Sequence, residues 1–268
     1  MSDSTQADTR TAAATRADVC AAALADCFRA DGEILANPIG NLPLIGGRLA
    51  KATFGPQLLM TDGEAQLIEN VMPVGVDDPE KVVSSWNPYR RMFDLLWNGR
   101  RHVIMGASQI DRFGNQNFAF IGDPAKPKAQ LLGMRGAPGN TLNHRTSYWI
   151  PAHSARVFVD QVDVASGVGY DRAATLGDAG RFHEIVHVVT NLAVLDFETP
   201  SHSMRLRSVH PGVSVDEVVG ATGFELVVPE SVPESRVPDA DELRLLREID
   251  PSDLRDQEVP DPSQARGA

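Results

Sequence analysis

Residues 33–62 constrain the fold of this chain more than any other stretch. Glu33-Ile34-Leu35-Ala36 reads as a short apolar strand, and Asn37-Pro38-Ile39-Gly40-Asn41 as the loop after it. Residues 43–53 read as a helix, and Leu58-Leu59-Met60 is a second apolar run bounded by Pro56 and Gly63. Strand, loop, helix, strand in that order is a βαβ unit, whose two strands run parallel. In open α/β sheets ligands bind at the carboxyl ends of the strands. The second strand delivers Asp62 and Glu64 to such an end, on a turn at Gly63. An acidic turn there is either a site for chemistry or a solvated turn that Asp62 caps. The residues alone leave both readings open.

The rest of the chain reads as one α/β domain with tails. At 268 residues, 42% hydrophobic and 23% charged, it can bury a sizeable core. Residues 1–15 predict a disordered tail, and 16–253 the domain, followed by a second tail at 254–268. Residues 16–30 predict an amphipathic helix with Thr15 as its cap. Residues 66–85 are acidic and poorly periodic, and Arg91 to Trp97 predicts a helix ending at Gly99. Strands are expected at 102–105, 117–120, 155–160 and 185–189, and a short helix at 241–248. A net charge of −11 argues against a broad nucleic-acid surface. No apolar run approaches the ~20 residues that span a bilayer. Residues 1–16 lack the apolar core of a signal peptide, so a cytoplasmic location is expected. Cys20 and Cys27 would share a helix face about 10 Å apart along its axis, too far for a disulfide. Buried free thiols in a reducing compartment follow.

One motif invites a wrong conclusion. His183-Glu184-Ile185-Val186-His187 matches the zinc-protease pattern H-E-x-x-H, which works only on a helix. Here it runs into Val188-Val189-Thr190, and so many β-branched residues favour a strand. On a strand the two histidines stand roughly 13 Å apart, far beyond one zinc ion. A metal is therefore not expected.

A second unusual segment is Arg135-Gly136-Ala137-Pro138-Gly139-Asn140-Thr141-Leu142-Asn143-His144. Its glycines would let backbone N–H groups approach a ligand, and Arg135 adds a fixed charge. A tight turn stabilised by Asn140 is the structural alternative.

With these pieces in order, the chain resembles the β-type subunit of class I coenzyme A transferases. The resemblance runs through Asp31-Gly32-Glu33-Ile34-Leu35, Ile39-Gly40-Asn41-Leu42-Pro43, the glycine segment at 136–140 and Val188-Val189-Thr190-Asn191-Leu192. It continues through His210-Pro211-Gly212-Val213, Ala221-Thr222-Gly223-Phe224 and the segment Glu242 to Pro251. It implies an open mixed sheet flanked by helices and an α-type partner in an α2β2 heterotetramer with the site between subunits. The substrate it implies is an acyl-CoA, so CoA enters as part of the substrate and no separate cofactor is expected.

The departures are as informative. The family's nucleophile is a glutamate at the end of the second strand, and here Asp62 takes its place. Asp is one methylene shorter, which sets its carboxylate about 1.5 Å back, and a 1 Å misplacement costs about a hundredfold in attack geometry. Thr61-Asp62-Gly63-Glu64, Arg135-Gly136 with Pro138-Gly139-Asn140, and Asn143-His144 before Thr146-Ser147-Tyr148-Trp149 resemble a hydrolytic subgroup, the small subunit of ring-opening hydrolases of cholesterol breakdown. That resemblance implies hydrolysis of a C–C bond in a cyclohexenone carrying a β-keto CoA thioester. It implies Asp62, Arg135 and Asn140 as catalytic residues, and Asn37, Asn41, Gly136, Gly139 and Asn143 as substrate-binding ones. CoA's phosphates would need basic residues, and Lys126, Lys128 and Arg145 are candidates. The rival readings are a true CoA transferase using Asp62 or Glu64, and a scaffold subunit whose partner holds the chemistry.

Overall fold

Thr15 starts the first helix by a reciprocal cap: its hydroxyl accepts from the Asp18 N–H, and Asp18 accepts from the Thr15 N–H. The computed structural model describes residues 14–134 and 136–260. The chain runs α1 (Arg16–Asp26), β1 (Leu35–Pro38), α2 (Asn41–Ala52), β2 (Met60–Thr61), β3 (Gln66–Ile68), β4 (Val83–Trp86), α3 (Tyr89–Asn98) and β5 (Arg101–Met105). It continues with β6 (Gln109–Ile110), β7 (Gln116–Asn117), β8 (Phe120–Asp123), β9 (Lys126–Gln130), α4 (Ala137–Asn143), β10 (Arg145–Ile150) and α5 (Tyr170–Ala173). After a 3-10 segment come β11 (Glu184–Thr190), β12 (Ala193–Asp196), β13 (Arg205–Val209), α6 (Val215–Gly220), α7 (Ala240–Ile249) and α8 (Leu254–Glu258).

The main sheet has the order β1-β5-β10-β11-β12-β13. β1, β5, β10 and β11 are parallel, and β12 and β13 run antiparallel, so the sheet is mixed and open. Alternation along each strand divides the core in two. Ala36, Ile104, Trp149 and Val189 face one way, against α1, α2 and α7. Val103, Met105, Tyr148, Ile150 and Val188 face the other, against Ala137 of α4, Phe158, Phe197 and Phe224. Helices cover one face in full. The second face is covered by α4 and α6 together with hairpins and long connections.

The expected βαβ unit forms, with a twist at its end. Leu59 lies parallel to Leu35, through Ala36 N–H to Leu59 O and Leu59 N–H to Ile34 O, each 2.9 Å. The chain then leaves the main sheet, and Met60–Thr61 pairs antiparallel with β3. The poorly periodic stretch at 66–85 thus holds two strands of a small sheet ordered β2-β3-β4. Residues 155–160 do not form the expected strand. Val157 and Phe158 N–H both close back on Ser154 O, and only a single bridge, Ile110 to Phe158, remains. The H-E-x-x-H segment is strand: His187 lies in β11, and His183 precedes it with Nδ1 2.6 Å from Thr141 O. Among the described residues no group of acids, histidines or cysteines is placed to hold a metal. Nor is any helix long and apolar enough to cross a membrane. Cys20 and Cys27 are free and buried, and burial pushes each thiol up to about 12.

The expected tail at 254–268 is ordered over its first residues. α8 docks through Arg255, whose Nε lies 2.8 Å from Asp18 Oδ1 and whose Nη1 lies 2.9 Å from Asp250 Oδ2. Glu258, at the end of α8, accepts from Trp149 Nε1 at 2.6 Å and from the Leu42 N–H at 3.3 Å, which places a carboxylate at the start of α2. Residues 1–13 and 261–268 lie outside the described residues. Taking away one partner of a buried ion pair costs about 3–5 kcal/mol. Arg255→Ala is therefore expected to lower the unfolding free energy by about that amount in urea denaturation, whereas Arg244→Ala, at an exposed ion pair, should leave it nearly unchanged.

Candidate active site

Arg101 opens β5 two residues after the helix-ending Gly99, and it is 4% exposed. Its Nη1 donates to Asn37 Oδ1 at 3.0 Å, and its Nη2 donates to Asn140 Oδ1. Asn37 stands opposite Val103, and Asn140 Nδ2 donates to Met105 Sδ at 3.2 Å. The guanidinium therefore lies along the sheet face toward the carboxyl ends of β1 and β5, where an open α/β sheet places its ligands. A guanidinium has donors only, so it fixes the orientation of both amides. Each turns its oxygen to Arg101 and its NH2 group away from it. Burial holds Arg101 down to about 10, still charged at neutral pH.

His144 completes this cluster. It is 2% exposed, and neither ring nitrogen completes a hydrogen bond among the described residues, although the ring lies against the Leu95 and Leu96 backbone. Burial and then the Arg101 charge push it down to about 4, so the ring is neutral at pH 7.

The other expected site residues separate into groups. Gly136 and Gly139 belong to the start of α4 and not to an open loop, and neither has a positive φ. Their lack of a side chain serves packing: a Cβ on Gly139 would meet Leu96 Cδ2 at 3.2 Å, and one on Gly136 would meet Leu96 Cδ1 at 3.5 Å. Asn143 Nδ2 donates to Leu96 O at 2.8 Å, a second tie between α3 and α4. Asn41 is exposed at the first position of α2, beyond the end of β1. Arg135 lies outside the described residues. Lys126 and Lys128 are exposed on β9, and Arg145 is engaged by Asp31 and Glu184 at the amino end of β10.

Asp62 has a structural occupation. Its Oδ1 accepts from the N–H groups of Glu64, Ala65 and Gln66 at 3.0, 3.1 and 3.0 Å, and Lys81 Nζ lies 3.1 Å from its Oδ2. The carboxylate thus closes the turn that Gly63 enters at φ 88°, a conformation that glycine adopts at no steric cost. Burial by itself raises the Asp62 carboxyl, but the Gln66 and Glu64 N–H groups and Lys81 outweigh it and hold the group below its ordinary 3.8. A carboxylate so engaged has little freedom to attack or to take a proton. The sequence reading missed Arg101, whose only signal is a charge placed between a helix-stopping glycine and an apolar strand.

A cavity of about 800 Å³ lies at the other end of the sheet, at the amino ends of β10 and β11. Its arginines are paired: Arg145 with Asp31 and Glu184, Arg207 with Asp196, and Arg236 with Asp26 and Glu242. Beside the Arg101 cluster, in contrast, α3 and β4 present an apolar surface. Trp86, Tyr89 and Trp97 are 71%, 68% and 73% exposed, and Phe93 is exposed with them. Leu96 is the one buried side chain of α3.

A depressed carboxyl stabilises the fold fully above its unfolded value, and that contribution fades as pH falls through its folded value. The stability gap between the wild-type chain and Asp62→Asn is therefore expected to be constant above about pH 5. It should close progressively below the ordinary 3.8. Urea denaturation between pH 3 and pH 7 measures it, and a gap independent of pH contradicts the arrangement.

Comparison with known proteins places this geometry. The coenzyme A transferase family profile matches residues 90–221. The cholesterol ring-cleaving hydrolase IpdB subunit of Rhodococcus jostii strain RHA1 is 50% identical over 246 residues, covering 91% of this chain and 96% of that one. The crystal structure of Rhodococcus jostii RHA1 IpdAB superposes with a TM-score of 0.87, over 91% of this chain and 98% of its counterpart. Glutaconate coenzyme A-transferase from Acidaminococcus fermentans superposes with a TM-score of 0.71 at 25% identity, over 94% of this chain and 96% of that one. The chain belongs to the coenzyme A transferase family, on the branch that contains the IpdB subunits.

Proposed function

We propose that this chain is the B-type subunit of a heteromeric hydrolase that opens a ring in cholesterol breakdown, working on a cyclohexenone that carries a β-keto CoA thioester. The observation that carries the reading is the 50% identity to an IpdB subunit along 91% of the chain. The engagement of Asp62 supports it. A CoA transferase of this family needs a free carboxylate to form a covalent acyl adduct, and Asp62 spends its oxygens on three N–H groups and Lys81.

The reaction is a retro-Claisen opening. Water adds to the ring ketone and an alkoxide forms. The bond to the α-carbon then breaks, leaving a carboxylic acid and a thioester enolate that takes a proton. A base must activate the water, and donors must hold first the alkoxide and then the enolate. In this reading Arg101 sets Asn37 and Asn140 so that the Asn37 NH2 group faces the substrate, and Arg135 adds positive charge. Asn41 and the backbone at Gly136 and Gly139 line the approach, and Asn143 keeps α4 in place. The base comes from an α-type partner seated on the apolar surface of β4 and α3, in an α2β2 assembly. A dry partner face would strengthen every charge–dipole contact in the site. No cofactor is required beyond the CoA of the substrate, and the reaction takes place in the cytoplasm, in keeping with the buried free thiols.

Coexpression with the partner tests the proposal. Ring opening is expected only when both chains are present. Hydroxylamine or borohydride should trap no enzyme–CoA thioester, and a trapped adduct would establish a transferase instead. Arg101→Gln in the complex is expected to lower kcat/KM at least tenfold without preventing assembly, because both amides lose the charge that orients them. Unaltered turnover in that variant would favour a scaffold role. Dialysis against EDTA is expected to leave turnover intact.

A further inference from the structure

Asp62 has a neighbour that the chemistry above does not use. Arg48 of α2 is 6% exposed, and its guanidinium donates no hydrogen bond to any described residue, with Nη1 fully enclosed. The two arginines buried as deeply are engaged, Arg101 by Asn37 and Asn140 and Arg255 by Asp18 and Asp250. Arg48 lines a cavity of about 440 Å³ between α2, the Asp62 turn and residues 72–81. Leu44, Met72 and Val74 form its apolar side, and Lys81 stands beside Asp62 on the other. Asp62 makes no hydrogen bond or ion pair with Arg48: its oxygens accept from the turn and from Lys81, and the Lys81 charge offsets its own. The other carboxylates lining the cavity, Glu64, Asp77 and Asp78, are exposed at its mouth.

We propose that this cavity is a carboxylate-binding subsite with Arg48 as its anchor, taking a small molecule that carries one carboxylate on an apolar body. A planar guanidinium presents two parallel N–H donors that match the two oxygens of a carboxylate. Leu44, Met72 and Val74 offer the body an apolar wall. Repulsion from the mouth scales with ligand charge, so Glu64, Asp77 and Asp78 oppose a phosphoryl dianion more than a carboxylate monoanion. Salt screens these exposed charges over about 8 Å, whereas the enclosed guanidinium is screened far less. The size of the cavity suits a small ligand.

Hexanoate is the probe, titrated by calorimetry into the chain purified with its partner subunit. Saturable binding is expected. Arg48→Gln should weaken it at least tenfold, and Arg48→Lys, which keeps the charge and loses the fork, at least threefold. Neither 1-hexanol nor inorganic phosphate should compete. Absence of saturable hexanoate binding overturns the proposal, as does an affinity unchanged in Arg48→Gln. Displacement of hexanoate by phosphate overturns it too, assigning a phosphoryl site instead. If Arg48→Gln fails to assemble, an unchanged affinity in Arg48→Lys is decisive against it. Binding is read without turnover, so a negative result leaves the hydrolase assignment untouched.

Discussion

The candidate site depends on one buried guanidinium. Arg101 links β1 to α4 through Asn37 and Asn140, two amides that lie far apart in sequence. Because arginine only donates, the direction of both amides is decided by a single charge. Without it, the Asn140 oxygen would be a buried acceptor lacking its partner, at about 1–3 kcal/mol, and the half-buried Asn37 oxygen would lose its donor. The same charge helps keep His144 neutral. The electrostatics of the cluster and its geometry thus have one source.

A second polar network shows why chemistry-bearing residue types do not by themselves make a site. His102 Nδ1 lies 2.6 Å from Asp31 Oδ2, and His102 Nε2 lies 2.9 Å from Ser147 Oγ. Asp, His and Ser stand in the order of a hydrolytic triad. Yet His102 and Ser147 are wholly buried, with Phe28 packed on the imidazole at 4.8 Å between ring centroids. No substrate reaches that hydroxyl. The network ties the loop after α1 to β5 and β10, and Arg145 extends it to Glu184 at the start of β11. Satisfied polar groups in a core specify one arrangement of strands over its neighbours.

The Asp62 turn gives the converse lesson. The resemblance implies a family nucleophile at this position, and here the carboxylate is occupied by the backbone around it and by Lys81. The shorter side chain is the cause: an aspartate is well sized to bond N–H groups two to four residues on, which closes an Asx-type turn. The apolar surface of β4 and α3 lies outside the main sheet, and such a surface calls for a partner. A site in which donors are in place and a free base is not fits a subunit that supplies half of an active centre.

Several of these features were legible in the residues. Thr15 announced the first helix, the order of residues 33–60 announced the parallel pair, and β-branched residues around His187 excluded a zinc helix. Local chemistry decides such matters, because caps, periodicity and chain stiffness act within a few residues. The resemblance carried the family and the open mixed sheet. The sequence left Asp62 open between a site and a turn, and the segment around Gly136 and Gly139 open between a ligand loop and a tight turn. It also gave no weight to Arg101 or Arg48, or to the helix that anchors through Arg255. Only the tertiary structure decided these. Whether a charge is paired, buried or free depends on residues brought together from 39 positions away, as for Arg101 and Asn140, or from 237, as for Arg255 and Asp18. Pattern along a chain cannot register such contacts, because they arise from packing across the sheet.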